Sequence, residues 1–198
     1  HFQHHPYLLG GHPSAADYAI MGAMHAHLGR DPAGLAFMQQ HAPRVFRWVE
    51  QMLTPEVQSP EFHDYPVAYP AEDEIPKTAL AFVQHLLSQY SEPFVLSSLA
   101  FQQAMEAENP AAGHVLDAQA DQPKLAPIVV SFHGNTQEHR ADVHAAWIAQ
   151  RSQRYFQSLS CVTQEQVMST FASDNGRALL TVPTKWVIER RANRLTIG

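Results

Sequence analysis

The sequence predicts a mainly all-α fold with one small β-hairpin. Three observations lead there. Apolar residues recur at three- and four-residue spacing along most of the chain. Fourteen prolines and nine glycines among 198 residues punctuate those runs into separate helices with stiff connections. Only residues 125–140 combine a strand-like apolar run with a turn signal and a return. A 45% hydrophobic content is enough for a sizeable core.

The first expected helix spans 14–28. It is rich in alanine, with Tyr18, Ile20, Met21 and Met24, and apolar or small residues on every side predict burial all round. A second helix spans 43–53, opened by Pro43 at a position that needs no amide donor. Val45, Phe46, Val49, Met52 and Leu53 supply its apolar face, with Arg44, Arg47, Glu50 and Gln51 outward. Residues 54–76 read as an acidic, proline-rich strap, in which Phe62, Tyr65 and Tyr69 predict contact with a surface. Two helices, or one bent helix, follow from about 80 to 108, interrupted at Pro93 and ended by Asn109-Pro110 and Gly113.

The hairpin is expected from Leu125 to Arg140, turning at Gly134-Asn135. A helix over 142–159 is expected to bury Val143, Trp147, Ile148, Tyr155 and Phe156. Its other face would show Gln150, Arg151, Gln153 and Arg154. Thr163 to Gln166 has capping-box spacing for a further helix, with Asn175-Gly176 as its end. The tail from Arg177 is basic, with five Lys or Arg against Glu189 alone, so it is expected to lie against the acidic strap. The organisation expected is therefore a helical unit over 1–53, the strap over 54–76, and an additional helical region with the hairpin over 77–198.

Bulk chemistry excludes several classes. Thirteen Lys+Arg against 19 Asp+Glu give a net charge of −6, which argues against binding duplex nucleic acid. The single cysteine, Cys161, rules out an internal disulfide framework and makes the cytoplasm the expected compartment. No apolar run reaches the roughly 18 residues of a spanning helix, so no membrane partner is expected. The chain opens on His1 rather than Met, and the expectation is that the front of a longer protein is missing.

The most specific motif is Gly10-Gly11-His12-Pro13-Ser14-Ala15-Ala16-Asp17-Tyr18. With Ser14 as N-cap, its hydroxyl reaches the Asp17 amide while the Asp17 carboxylate reaches back to the Ser14 amide, and Pro13 with Tyr18 forms a hydrophobic staple. Ser14→Ala is expected to cost about 1 kcal/mol, and Asp17→Ala as much or more. Gly10, Ser14, Ala16, Asp17 and Tyr18 match the segment opening the central buried helix in the C-terminal all-helical domain of the glutathione S-transferase superfamily, which this region resembles. Tyr7-Leu8-Leu9-Gly10 resembles the family's lead-in, and 42–52, with Trp48 and Met52, its next helix. The likeness covers about residues 1–53. The rest is similar in layout to the extra helical region of long bacterial relatives.

The resemblance implies a helical bundle and, for an intact parent, a glutathione-dependent transferase whose helices wall the apolar co-substrate side. It implies a thioredoxin-like domain that binds glutathione and activates its thiol, and nothing in this chain reads as that domain. Accordingly no catalytic, cofactor-binding or metal residue is expected here, and the chain alone is expected to be inactive. The alternative is a non-catalytic helical module that binds a partner or forms a homodimer.

Other chemistry has weaker anchors. Among 13 histidines, His25 and His27 diverge by about 200° on a helix, and His139 and His144 lack a metal-binding partner motif. Cys161, just ahead of a helix, reads as a small, partly buried residue. Trp147, Arg151 and Arg154 read as the face of an ordinary amphipathic helix, with an anion or peptide cleft as the alternative.

Overall fold

The structure, a computed structural model, describes residues 1–55, 60–116, 125–171 and 173–198, with Asp73 by its backbone alone. Glu56 of the strap therefore lies outside the described residues. Two compact units divide the chain, His1–Phe82 and Val83–Gly198. The described residues are mainly helical, with eight α-helices and two separate two-stranded antiparallel sheets. No helix among them is long and apolar enough to cross a membrane.

In the first unit, α1 (Ala15–Ala23) runs into a π-helical turn, Met24–Leu28, so the helix expected over 14–28 changes winding at Met24. α2 (Pro32–His41) is a helix the sequence reading missed. Asp31 caps it by accepting from the amides of Ala33 and Gly34, and Pro32 takes the donor-free first position. α3 (Pro43–Gln51) follows directly. Its residues Trp48 and Val49 join Tyr7 and Met52 as a buried cluster, against which Phe2, Ile20, Met21 and Met24 pack. Gln51, expected outward, is buried instead.

α1 is not buried all round. Asp17 is its one buried residue, Tyr18 is 51% exposed, and Ala15, Ala16, Ala19, Gly22 and Ala23 face solvent. Alanine is the best intrinsic helix former, so its abundance supports the helix without requiring anything to cover it. The strap packs through Tyr69, whose hydroxyl donates to the Pro13 carbonyl at 2.9 Å, and through the Gly11 amide, which donates to the Ala68 carbonyl at 3.0 Å.

α4 (Lys77–Tyr90) carries the division between the units, and α5 (Glu92–Glu108) starts after Ser91 with Pro93 in its first turn. Asn109 ends α5 in the left-handed conformation at φ 46°. In the second unit α5 packs along α6 (Val143–Ser158). Phe101, Met105, Leu116, Ala146, Ile188, Leu195 and Ile197 make its largest core cluster. The hairpin β1 (Pro127–Phe132) and β2 (Asn135–Arg140) turns at His133-Gly134, one residue earlier than expected. Both turn residues have positive φ, as a two-residue type I′ turn requires.

Three expectations fail in this unit. α6 buries Ala146, Ala149, Gln150, Gln153 and Phe156, while Tyr155 is 70% exposed and Ile148 is also exposed. Small residues permit the close approach of α5, and the Gln150 side chain is buried because it serves the backbone of Ile188 from both ends. Its Oε1 accepts from that amide at 3.0 Å and its Nε2 donates to that carbonyl. The helix opened by the capping signal begins earlier, as α7 (Cys161–Thr170), with Ser160 as N-cap. Asn175-Gly176 lies in the first turn of a separate helix, α8 (Asp174–Thr181), capped by Ser173.

The basic tail is no tail but a second hairpin, β3 (Ile188–Arg191) and β4 (Arg194–Ile197), turning at Ala192-Asn193 with φ of 47° and 64°. The fold class thus keeps its mainly all-α character with two hairpins in place of one. Residues 113–116 pair beside β4, with the Leu116 amide donating to the Leu195 carbonyl at 2.8 Å. Lys185 pairs with Glu106 at 2.6 Å, Arg191 with Glu189 at 2.6 Å, and in the strap Glu61 pairs with Arg47 at 3.3 Å. Each of these pairs closes inside its own unit.

Candidate functional site

The backbone before α1 is shaped by Gly10. At φ +98° it closes a four-residue turn with Tyr7, whose amide donates to the Gly10 carbonyl at 3.1 Å. That turn brings the Leu8 amide over the start of α1. The Asp17 carboxylate, fully buried, collects four donors there. One oxygen accepts from the Leu8 amide at 2.9 Å and the Trp48 Nε1 at 3.3 Å. The other accepts from the Ser14 amide at 2.9 Å and the Ser14 hydroxyl at 2.6 Å. The reciprocal capping box of Ser14 and Asp17 is present.

Sequence reasoning missed the Leu8 and Trp48 donors. A buried indole needs a partner for its N–H, a requirement that says Trp48 has an acceptor without saying which one. Of the other motif residues, Gly10 is buried, Pro13 half-buried, and Ala16 and Tyr18 exposed.

Asp17 fixes α3 to α1, and the two helices frame a cleft of about 710 Å³. Phe2, Leu8, Ile20, Met24, Val45, Trp48 and Phe82 make its walls apolar, and Phe2 stacks on Trp48 at 4.8 Å between ring centroids. His41 and Arg44 are among its polar lining residues. Thr78 carries the one hydroxyl side chain in that lining, and it is hydrogen-bonded to His1 Nδ1 at 2.7 Å. Nearby, burial pushes the His5 imidazole below its ordinary value, with His4 adding to the effect, while its Nδ1 lies 2.7 Å from the Tyr65 hydroxyl. A cleft of this size and polarity can enclose a small apolar molecule. Among the described residues that lining holds no cysteine, serine, tyrosine or carboxylate.

Among the described residues no three His, Cys, Asp or Glu side chains converge as a metal cluster. His25 is half-buried and His27 exposed on the π-helical turn. Cys161 is exposed at the first position of α7, rather than partly buried. Trp147, Arg151 and Arg154, expected as an ordinary helix face, line a second cleft of about 580 Å³ in the second unit, together with Arg190.

The chain matches no protein-family model. No curated protein and no solved structure matches it either.

Proposed function

We propose that this chain is the C-terminal helical portion of a cytoplasmic glutathione S-transferase-like protein, in which it supplies the apolar co-substrate side of the site. The observation that carries this reading is the Asp17 hub, a capping box whose carboxylate also holds the Trp48 indole of α3 and so sets the walls of the apolar cleft. In this reading glutathione binding and thiol activation belong to a thioredoxin-like partner domain outside this chain. The cleft's task is to bury the apolar electrophile, a gain of roughly 25 cal/mol for each Å² removed from water.

Purified chain mixed with reduced glutathione and a chloronitrobenzene is expected to show no conjugation above buffer. The uncharged apolar dye Nile red is expected to bind, and Phe82→Glu at the cleft to weaken that binding by about tenfold. Conjugation by this chain alone would overturn the division of labour. Equal dye binding by the variant would remove the cleft from the proposal.

A second reading, a dimerisation module, is favoured by one observation, the uncovered apolar face of α1. Sedimentation of the same material is then expected to give a dimer, with Ala19→Glu on that face returning it to monomer. A stable monomer at high concentration would exclude that reading.

A further inference from the structure

We propose that the cleft between α6 and β3 is a binding site for a small molecule carrying two anionic groups, phosphate or carboxylate. This site is independent of the glutathione-transferase reading. Trp147, Gln150, Arg151 and Arg154 fall on one stripe of α6, with Trp147 three and four residues before Gln150 and Arg151, and Arg154 four and three after them, and β3 brings Glu189 and Arg190 to the same cleft.

Three guanidiniums there face a single carboxylate, and that carboxylate is already claimed, because Arg191 Nε donates to Glu189 at 2.7 Å. Among the described residues Arg151 and Arg154 have neither an ion-pair nor a hydrogen-bond partner. Like charges spaced three apart on a helix repel, so this placement costs stability unless an anion neutralises it. In a chain of net charge −6, three arginines sharing one already-paired carboxylate are the less expected because acidic residues outnumber basic ones.

Arg190 is preorganised. Its guanidinium sits 5.8 Å from the Trp147 ring centroid, and its terminal nitrogen donates to Asn193 Oδ1 in the β3–β4 turn. The cleft floor is rigid as well, since buried Gln150 is tied to both backbone groups of Ile188. A guanidinium offers a planar fork of donors that matches carboxylate or phosphate oxygens in pairs. A volume of about 580 Å³ leaves room for the body of a small organic anion.

The test is calorimetric titration of the whole chain at low ionic strength, using inorganic pyrophosphate in one arm and citrate in the other. Saturable binding at one site is expected with at least one probe, weakening as sodium chloride is added. Preference for pyrophosphate assigns the phosphate class, and preference for citrate the carboxylate class. The double variant Arg151→Gln with Arg154→Gln, and separately Arg190→Gln, are expected to lose about tenfold or more in affinity with unchanged helical circular dichroism. Arg30→Gln, in the first unit, is expected to bind as the parent does. No saturable binding of either probe would overturn the proposal, as would folded cleft variants that bind like the parent, or an equal loss in Arg30→Gln.

Discussion

Asp17→Ala is expected to destabilise the chain by about 3–5 kcal/mol, well beyond the roughly 1 kcal/mol of Ser14→Ala. Ser14→Ala removes one hydroxyl, which leaves the Asp17 amide without its cap while the carboxylate keeps the Leu8, Ser14 and Trp48 N–H donors. Asp17 is buried, and its removal strands the amides of Leu8 and Ser14 and the indole N–H of Trp48 where water does not reach. Each buried donor left without an acceptor costs on the order of 1–3 kcal/mol. A loss of this size is a large fraction of a typical domain's stability. Urea unfolding followed by tryptophan fluorescence measures it. Asp17→Asn is expected to fall between, since the amide keeps one acceptor oxygen but puts an NH2 where the other oxygen accepted. A loss below that of Ser14→Ala would mean the carboxylate caps a helix and does nothing more.

Gly11→Ala is expected to cost about 2–4 kcal/mol, through sterics and not through backbone conformation. A Cβ on Gly11 would stand 1.8 Å from the Pro66 carbonyl oxygen and 3.0 Å from the Ala68 nitrogen. Both are backbone atoms of the strap, so no side-chain rotation relieves the clash. The hydrogen bond from the Gly11 amide to Ala68 breaks as the strap is displaced. Limited proteolysis is expected to cut the variant within 60–70 faster than the parent. Unchanged cleavage and unchanged stability together would show that the strap shifts freely. At the neighbouring Gly10 an alanine meets a different obstacle, a φ of +98° that a side chain rarely adopts.

The two halves of the Asp17 hub differ in how visible they are from the chain. Ser14 and Asp17 lie three apart, and a cap is a local device, so composition and spacing are enough to find it. The Leu8 amide and the Trp48 indole reach Asp17 through a turn and through packing of α3, neither of which has a residue-type signature. Similar limits apply to α1 and α6. Alanine-rich α1 looks buried on every side by composition, yet alanine suits a helix in water as well as one in a core. Gln150 and Gln153 look outward by polarity, yet Gln150 is buried because its amide can donate and accept at once against a strand backbone.

The second hairpin eluded the sequence because Ala192-Asn193 lacks the glycine that usually marks such a turn, and because β3 is rich in arginine. That hairpin is what turns an ordinary helix face into a cleft. Arg190 reaches Trp147 only after the chain has passed through α7 and α8.

By itself, then, the sequence determined the mainly helical class, the first hairpin and the capping box, because each follows from interactions between residues a few positions apart. Only the tertiary structure decided which faces are buried, which donors complete the Asp17 hub and which arginines share a cleft. Those outcomes depend on pairs of residues brought together by packing, and local periodicity carries no record of them.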